Sequence, residues 1–215
     1  MNAVVSPLTV ARQPQQQRAK ARFEQVLDEA DALLAEAGHA GFSIPELAKR
    51  LGYTRASIYK FFPTPHAVLN ELSGRYLTRL EDELNASAKD LVELSWPETA
   101  RTVVNRAARF YDANPVARLL ILGGQMTDDS YRAQELMIQR LGKLLRRLSA
   151  QRGIILPAGS VDVATLAVEI GTASFRLSYF LHGEITDAYR EEAAYAIVSY
   201  LSRYAVGGSV TGIQA

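Results

Sequence analysis

The stretch SIPELAKRLGYTRASIYKFF, residues 43 to 62, constrains the fold more than any other part of the chain. Its punctuation fits two short helices joined by a tight turn. Ser43 is placed to cap a helix, with Glu46 three residues later to return the bond. Pro45 falls in the first turn, where its missing N–H costs little. Ile44, Leu47, Ala48 and Leu51 then recur at helical spacing. Gly52 can take the left-handed conformation that ends a helix. Thr54 is a second cap. The helix it starts buries Ile58 and one of Phe61 or Phe62, leaving Arg55, Ser57, Tyr59 and Lys60 to face outward. Pro63 stops it, because the residue before a proline avoids the helical region. Thr64 caps a third helix with Pro65 at its first position. A short helix with small polar and basic side chains away from its apolar face is how a protein presents a helix to the major groove of DNA.

Ala48, Gly52 and Ile58 have the four- and six-residue separations of the helix-turn-helix signature. More narrowly, residues 15 to 80 resemble the N-terminal domain of TetR-family transcriptional repressors. The phrase ASIYKFFPTPHAVL is similar to that family's recognition helix followed by the start of its fourth helix. An amphipathic helix before it, about Gln16 to Ala37, also fits. An ordinary helical hairpin explains the apolar spacing but not the coincidence of glycine turn, both caps and outward Tyr59-Lys60. Two positions depart from the family pattern. Tyr53 stands where a small aliphatic residue is common, so its ring packs at the turn or its hydroxyl reaches a phosphate. Pro65 stands where a lysine is common, which removes a backbone contact. His66 is a weak substitute and reads as solvent-exposed.

The resemblance implies a DNA-contact set. Arg55, Ser57 and Tyr59 lie nearest base edges or flanking backbone, while Thr54, Lys60 and Thr64 position the helix on phosphates. Tyr53 and Lys20 complete the set. Lys20 belongs to a run of cations, with Arg12, Arg18 and Arg22, that suits either phosphates or a solvated helix face. Bulk charge does not announce a nucleic-acid binder, since the net charge is +1. Residues 1 to 75 hold nine Lys/Arg against seven Asp/Glu, and the rest fifteen against sixteen. Affinity must therefore come from a local basic surface.

Beyond this region every periodic segment is helical. The apolar stripe Phe23, Val26, Leu27, Ala30, Leu33, Leu34 and Ala37 marks the first helix. A fourth helix, about 65 to 88, carries Leu69, Leu72, Tyr76, Leu80 and Leu84. Further helices are expected near 97 to 113, 115 to 123, 129 to 152, 161 to 183 and 187 to 205, separated by glycine and proline breaks. The expected fold is all-α, with about nine helices. It has a three-helix helix-turn-helix DNA-binding domain at residues 15–64 and a helical ligand-binding and dimerisation domain at 65–206. Residues 1–14 are expected as a disordered arm and 207–215 as a flexible tail.

The last two long helices carry the candidate dimer interface. One stripe is Ala167, Ile170, Gly171, Ser174, Leu177, Ser178 and Leu181; the other is Ala193, Ala196, Ile197, Tyr200 and Tyr204. Both also suit a monomer core. Two half-sites require two recognition helices, which favours the dimer. The resemblance also implies a pocket for a small, largely apolar effector that shifts the protein between DNA-competent and incompetent states. Candidates are Phe110, Leu119, Leu122, Met126, Met137, Leu141, Phe175 and Tyr179. Glu169 and Arg176, seven apart on one helix face, suit a polar ligand group, a partner subunit or water.

Other classes find little support. There are no cysteines, which excludes disulfides and thiolate chemistry and suits the cytoplasm. No basic segment followed by an apolar run marks a secretory signal. The apolar stretch near 160 to 183 is interrupted by Asp162, Glu169 and Arg176, so it does not read as a membrane span. His39, His66 and His182 form no metal-ligand pair, and no GxSxG, Walker A or dinucleotide-binding pattern occurs. The expectation is a regulator that is no enzyme and needs no metal or cofactor. It is a homodimer on a pseudo-palindromic DNA operator. The alternative is a helical ligand-binding or protein-interaction module without operator binding. Operator, effector and the sign of control are not written in the sequence.

Overall fold

A computed structural model describes residues 9–86, 91, 94–123, 128–151, 154–157 and 159–205. Residues 1–8 of the expected arm, Met126 and the expected tail lie outside the described residues. The chain is all-helical among the described residues, with α1 (Gln17–Gly41), α2 (Ile44–Leu51), α3 (Arg55–Tyr59), α4 (Pro65–Ala86) and α5 (Trp96–Ala113). They are followed by α6 (Pro115–Leu122), α7 (Asp128–Ala150), α8 (Val163–His182) and α9 (Asp187–Ala205). Packing groups the helices into two units. One gathers the chain up to Arg79 with Ala113–Met137; the other gathers Leu80–Asp112 with the chain from Ile138. The division falls inside α4, at the last residue of α5 and inside α7.

The first unit is built on the α1 stripe, of which all but Ala37 is buried. Phe23 stacks on Phe62 with ring centroids 4.6 Å apart, while Phe61 meets Phe23 edge-on at 6.0 Å. Phe62 is therefore the buried member of the pair and Phe61 is half-buried. Gly38, with φ 61°, interrupts the last turns of α1. Arg75 on α4 reaches back to both Glu24 and Asp28 on α1, and the Tyr76 hydroxyl donates to Asp31. These bonds fix α4 to α1.

Residues 9–14, expected within a disordered arm, are engaged with the first unit. Ala11 is buried. The Arg12 N–H donates to the Phe61 carbonyl at 2.7 Å, Asn70 donates to the Thr9 carbonyl at 3.1 Å, and Gln13 donates to Glu71 at 2.9 Å. Aperiodic sequence marks irregular backbone, but irregular backbone can still dock.

In the second unit α8 packs along α9. Asp162 caps α8: its carboxylate accepts from the Thr165 N–H at 3.2 Å and pairs with Arg146 at 2.6 Å. Burial opposes the charge on Asp162, yet the bonds from Thr165 and Arg146 outweigh it and hold the carboxyl below its usual range. Gly183, with φ 76°, ends the helix. At Gly142 on α7 the backbone of α8 comes so close that an added Cβ would lie 2.7 Å from the Thr165 Cα.

Candidate nucleic-acid interface and cavity

Local signals position the outward helix. The Ser43 hydroxyl accepts from the Glu46 N–H at 3.3 Å, starting α2. The Glu46 carboxylate turns to Arg50 at 3.2 Å, an i,i+4 pair. Gly52 ends α2 with φ 65°. Thr54 Oγ1 then accepts from the Ser57 N–H at 3.2 Å, and the Ser57 hydroxyl donates to the Thr54 carbonyl at 2.7 Å. Ile58 is fully buried and anchors α3 to the core. Thr64 Oγ1 accepts from the Ala67 N–H at 3.2 Å and starts α4. Both caps and the turn lie where the sequence places them, while α3 already ends at Tyr59, ahead of the expected stop at Pro63.

This scaffold exposes Thr54, Arg55, Tyr59 and Lys60 and leaves Ser57 and Thr64 half-buried. Ion pairing sorts the cations. Arg50 is held by Glu29, Glu36 and Glu46, and Arg75 by Glu24 and Asp28. Among the described residues no ion pair engages Lys20, Arg55 or Lys60, and all three are exposed. Tyr53 is held by α1: its hydroxyl donates to Gln25, and the Arg22 guanidinium lies 5.7 Å from its ring centre. His66 is half-buried. It lies near enough to His39 to oppose protonation there, while burial is the larger influence lowering the His39 pKa.

The second unit holds a partly open cavity of about 110 Å³. Leu80 and Leu84 of α4 wall one side. Trp96, Thr99, Ala100, Val103, Val104, Ala107 and Tyr111 form a single stripe along α5. Leu141, Leu144, Leu145, Leu148 and Ser149 of α7, five residues of α8 from Ala167 to Phe175, and Ile197 of α9 complete it. No charged side chain belongs to this lining. Ser95 and Glu98 set Trp96 at the start of α5, since the Glu98 carboxylate accepts from the Ser95 N–H at 2.9 Å and the Ser95 hydroxyl at 2.6 Å. These bonds hold the Glu98 carboxyl below its usual range. Burial pushes the Tyr111 hydroxyl upward, so it stays protonated. Two polar atoms of the walls, Trp96 Nε1 and Ser149 Oγ, are buried without a hydrogen-bond partner among the described residues.

Of the pocket candidates, Leu141 and Phe175 line this cavity. Phe110 is buried beside Tyr111, with ring centroids 5.8 Å apart, but is not a wall. Leu119, Leu122 and Met137 belong to the first unit. Glu169 and Arg176 pair with each other, and Tyr179 is half-buried off the cavity. The walls that the candidate set omits, Trp96, Tyr111 and Ser149, had one legible signal: residues 96, 100, 103, 107 and 111 recur at helical spacing.

The small-residue stripes also need correction. Ala167, Ser178 and Ala193 are fully buried, and Gly171 and Ile197 are buried with them. An added Cβ at Gly171 would lie 2.8 Å from Ile197 Cδ1, so this glycine serves the approach of α8 to α9 within one chain. Ser178 donates to the Glu184 carbonyl at 2.9 Å. Ile170, Ser174, Ala196, Tyr200 and Tyr204 are half-buried, the last two in edge contact at 5.8 Å. Leu177 and Leu181 are exposed, as are Leu166, Ala173 and Phe180 on the same helix, Phe180 by 84%. The interior stripe was visible because it is periodic, but α8 is apolar on two sides and periodicity does not say which faces inward.

Residues 26–72 match the family model described as bacterial regulatory proteins, tetR family. No curated protein matches the chain. Among solved structures, a TetR-family transcriptional regulator from Streptomyces coelicolor is 24% identical, with a TM-score of 0.64 over 85% of this chain and 99% of that one. A TetR-family regulator from Pectobacterium atrosepticum is 19% identical, with a TM-score of 0.64 over 91% and 100%. The transcriptional regulator FadR from Bacillus subtilis, in complex with stearoyl-CoA, is 14% identical, with a TM-score of 0.60 over 87% and 100%. Residues 26–72 are thus similar to the DNA-binding domain of the tetR family, and the helices around them among the described residues have the fold of these solved structures.

Proposed function

We propose that the chain is a dimeric, sequence-specific DNA-binding repressor whose operator binding is modulated by a small-molecule effector. One observation carries the reading: α3 buries Ile58 while presenting Arg55, Tyr59 and Lys60 outward, with no ion pair on either cation among the described residues. Phosphate contacts by Thr54, Lys60, Thr64 and Lys20 set the register, and Arg55, Ser57 and Tyr59 read or flank the bases. Tyr53 acts through Gln25 and Arg22, which steady it beside the turn.

Dimerisation uses the exposed α8 face of Leu166, Ala173, Leu177, Phe180 and Leu181, with a second copy as its occupant. A two-fold dimer supplies the two recognition helices that a pseudo-palindromic operator needs. The effector occupies the second-unit cavity. Leu80 and Leu84 wall that cavity, and the helix that bears them starts directly after the recognition helix. A ligand that favours one arrangement of α4 thereby shifts the DNA-competent population. The FadR structure, with its acyl-CoA, supports a ligand-responsive reading.

The test is fluorescence anisotropy with palindromic DNA fragments, including the region upstream of the protein's own gene, at two salt concentrations. Tight binding to one fragment that survives competitor DNA is expected. Weak binding to every fragment that vanishes at higher salt, or no binding at low salt, would favour a ligand-binding or protein-interaction module without operator function.

A further inference from the structure

We propose that Arg12 is a further DNA contact, a phosphate-binding cation that a docked segment, residues 9–13, holds beside the end of α3. The proposal rests on the reading of α3 as the DNA-reading helix and adds a contact from outside the helix-turn-helix.

The first observation is the docking. Residues 9–13 carry no helical period, yet three bonds hold them to the first unit. The Arg12 N–H donates to the Phe61 carbonyl at 2.7 Å. On α4, Asn70 donates to the Thr9 carbonyl at 3.1 Å, and Glu71 accepts from Gln13 at 2.9 Å. The Phe61 carbonyl has a physical reason to accept from outside. α3 ends at Tyr59, and helical continuation would pair this carbonyl with the N–H of residue 65. Residue 65 is a proline and has none. Arg12 supplies the donor, so the main chain at residue 12 is fixed to the residue that follows Lys60.

The second observation is burial. Thr9 and Ala11 are buried, whereas Val10 and Arg12 are exposed. The buried pair anchors the segment, and the guanidinium is left in solvent. The third is charge. Arg50 and Arg75 are consumed by carboxylates. Among the described residues no ion pair engages Arg12, which is the state of Lys60 and Arg55 on α3. Glu71, the acid that touches the segment, does so through Gln13. Unpaired cations on adjoining segments raise the local positive potential, and a row of phosphates is the anion that matches it. An arginine whose main chain is already bonded gives up less freedom on binding than one on a loose arm.

Anisotropy on the full chain tests this, using the operator fragment that the wild type selects and a series of salt concentrations. Arg12→Ala keeps the N–H, so the segment stays docked. It should lose about fivefold in affinity per half-site at ~0.15 M salt, and its salt dependence should flatten by about one phosphate contact per half-site. Arg12→Lys keeps the charge and should restore most of that slope. Ala11→Gln puts a long polar side chain where a buried methyl group sits. It releases the segment with Arg12 intact and should lose most of the same affinity. Unchanged affinity and slope in Arg12→Ala would overturn the proposal. So would a loss of affinity with the slope intact, since Arg12 would then only steady α3. Wild-type affinity in Ala11→Gln would overturn the docked geometry. A wild type that selects no operator fragment would remove the DNA reading of α3 itself and this contact with it, a failure distinct from the loss of the Arg12 effect alone.

Discussion

Lys60 and Arg55 share one short helix, yet removing them should have different signatures. Lys60→Ala removes the point charge proposed to meet phosphate. Affinity for every DNA sequence should fall, and the salt dependence should flatten by about one phosphate contact. Arg55→Ala removes a planar donor at the helix start; its loss should weaken preference at one base pair by about 1–3 kcal/mol and leave other positions alone. Anisotropy titrations across salt and across operator variants separate the two. An unchanged slope for Lys60→Ala takes that lysine out of the contact set. His39 makes a pH-dependent contribution. Burial lowers its pKa in the folded chain, and His66 adds to that effect against a bond to the Leu119 backbone. Between the folded value and the unfolded value of about 6.5, the unfolded chain binds more protons. Stability is therefore present above that unfolded value and lost as pH falls toward the folded one. Urea unfolding between pH 5 and 8 should show this loss, and His39→Gln should remove it. Identical pH profiles for the two proteins would refute it.

Two helix contacts in the second unit turn on glycine, with unequal consequences. At Gly142 an added methyl group meets backbone, with the Thr165 Cα at 2.7 Å and its N at 2.9 Å, so α7 and α8 must separate. At Gly171 it meets the end of the Ile197 side chain, which can rotate away. Gly142→Ala should therefore cost at least ~1–3 kcal/mol and Gly171→Ala markedly less, as read from urea midpoints. Equal costs would contradict this account. The same contrast explains how much the sequence disclosed. The helix-turn-helix was legible residue by residue because Ser43, Gly52, Thr54, Pro63 and Thr64 each act on backbone within four residues of themselves. Gly142 carries no such local mark. Its role depends on Thr165, a residue 23 positions away on another helix. The cavity was hidden for the same reason: its walls come from five helices. α8 misled because its inward stripe of small residues looked like a surface for another subunit.

At the scale of the whole molecule, the exposed face of α8 is the surface proposed to meet a partner. Leu177 and Leu181 are about half exposed, and Phe180 is 84% exposed, within one face of a single helix. Contiguous exposed apolar surface of this kind is characteristic of interaction sites. On the proposed reading, in which an operator offers two half-sites, that partner is a second copy. A Leu177→Lys, Phe180→Glu double variant tests both statements together. Neither side chain is buried within its own chain, so thermal unfolding measured at low concentration should move little once dimer stabilisation is discounted. Sedimentation should shift from dimer to monomer. Operator affinity should fall by ~10²–10⁴-fold, because linked half-sites raise the effective concentration of the second recognition helix and a monomer loses that gain. Affinity for an isolated half-site should stay near that of the wild type, since α3 and its caps are untouched. A variant that remains dimeric would move the interface off this face. A monomeric variant with undiminished operator affinity would instead mean that one recognition helix suffices, and the operator would then have no need of two-fold symmetry.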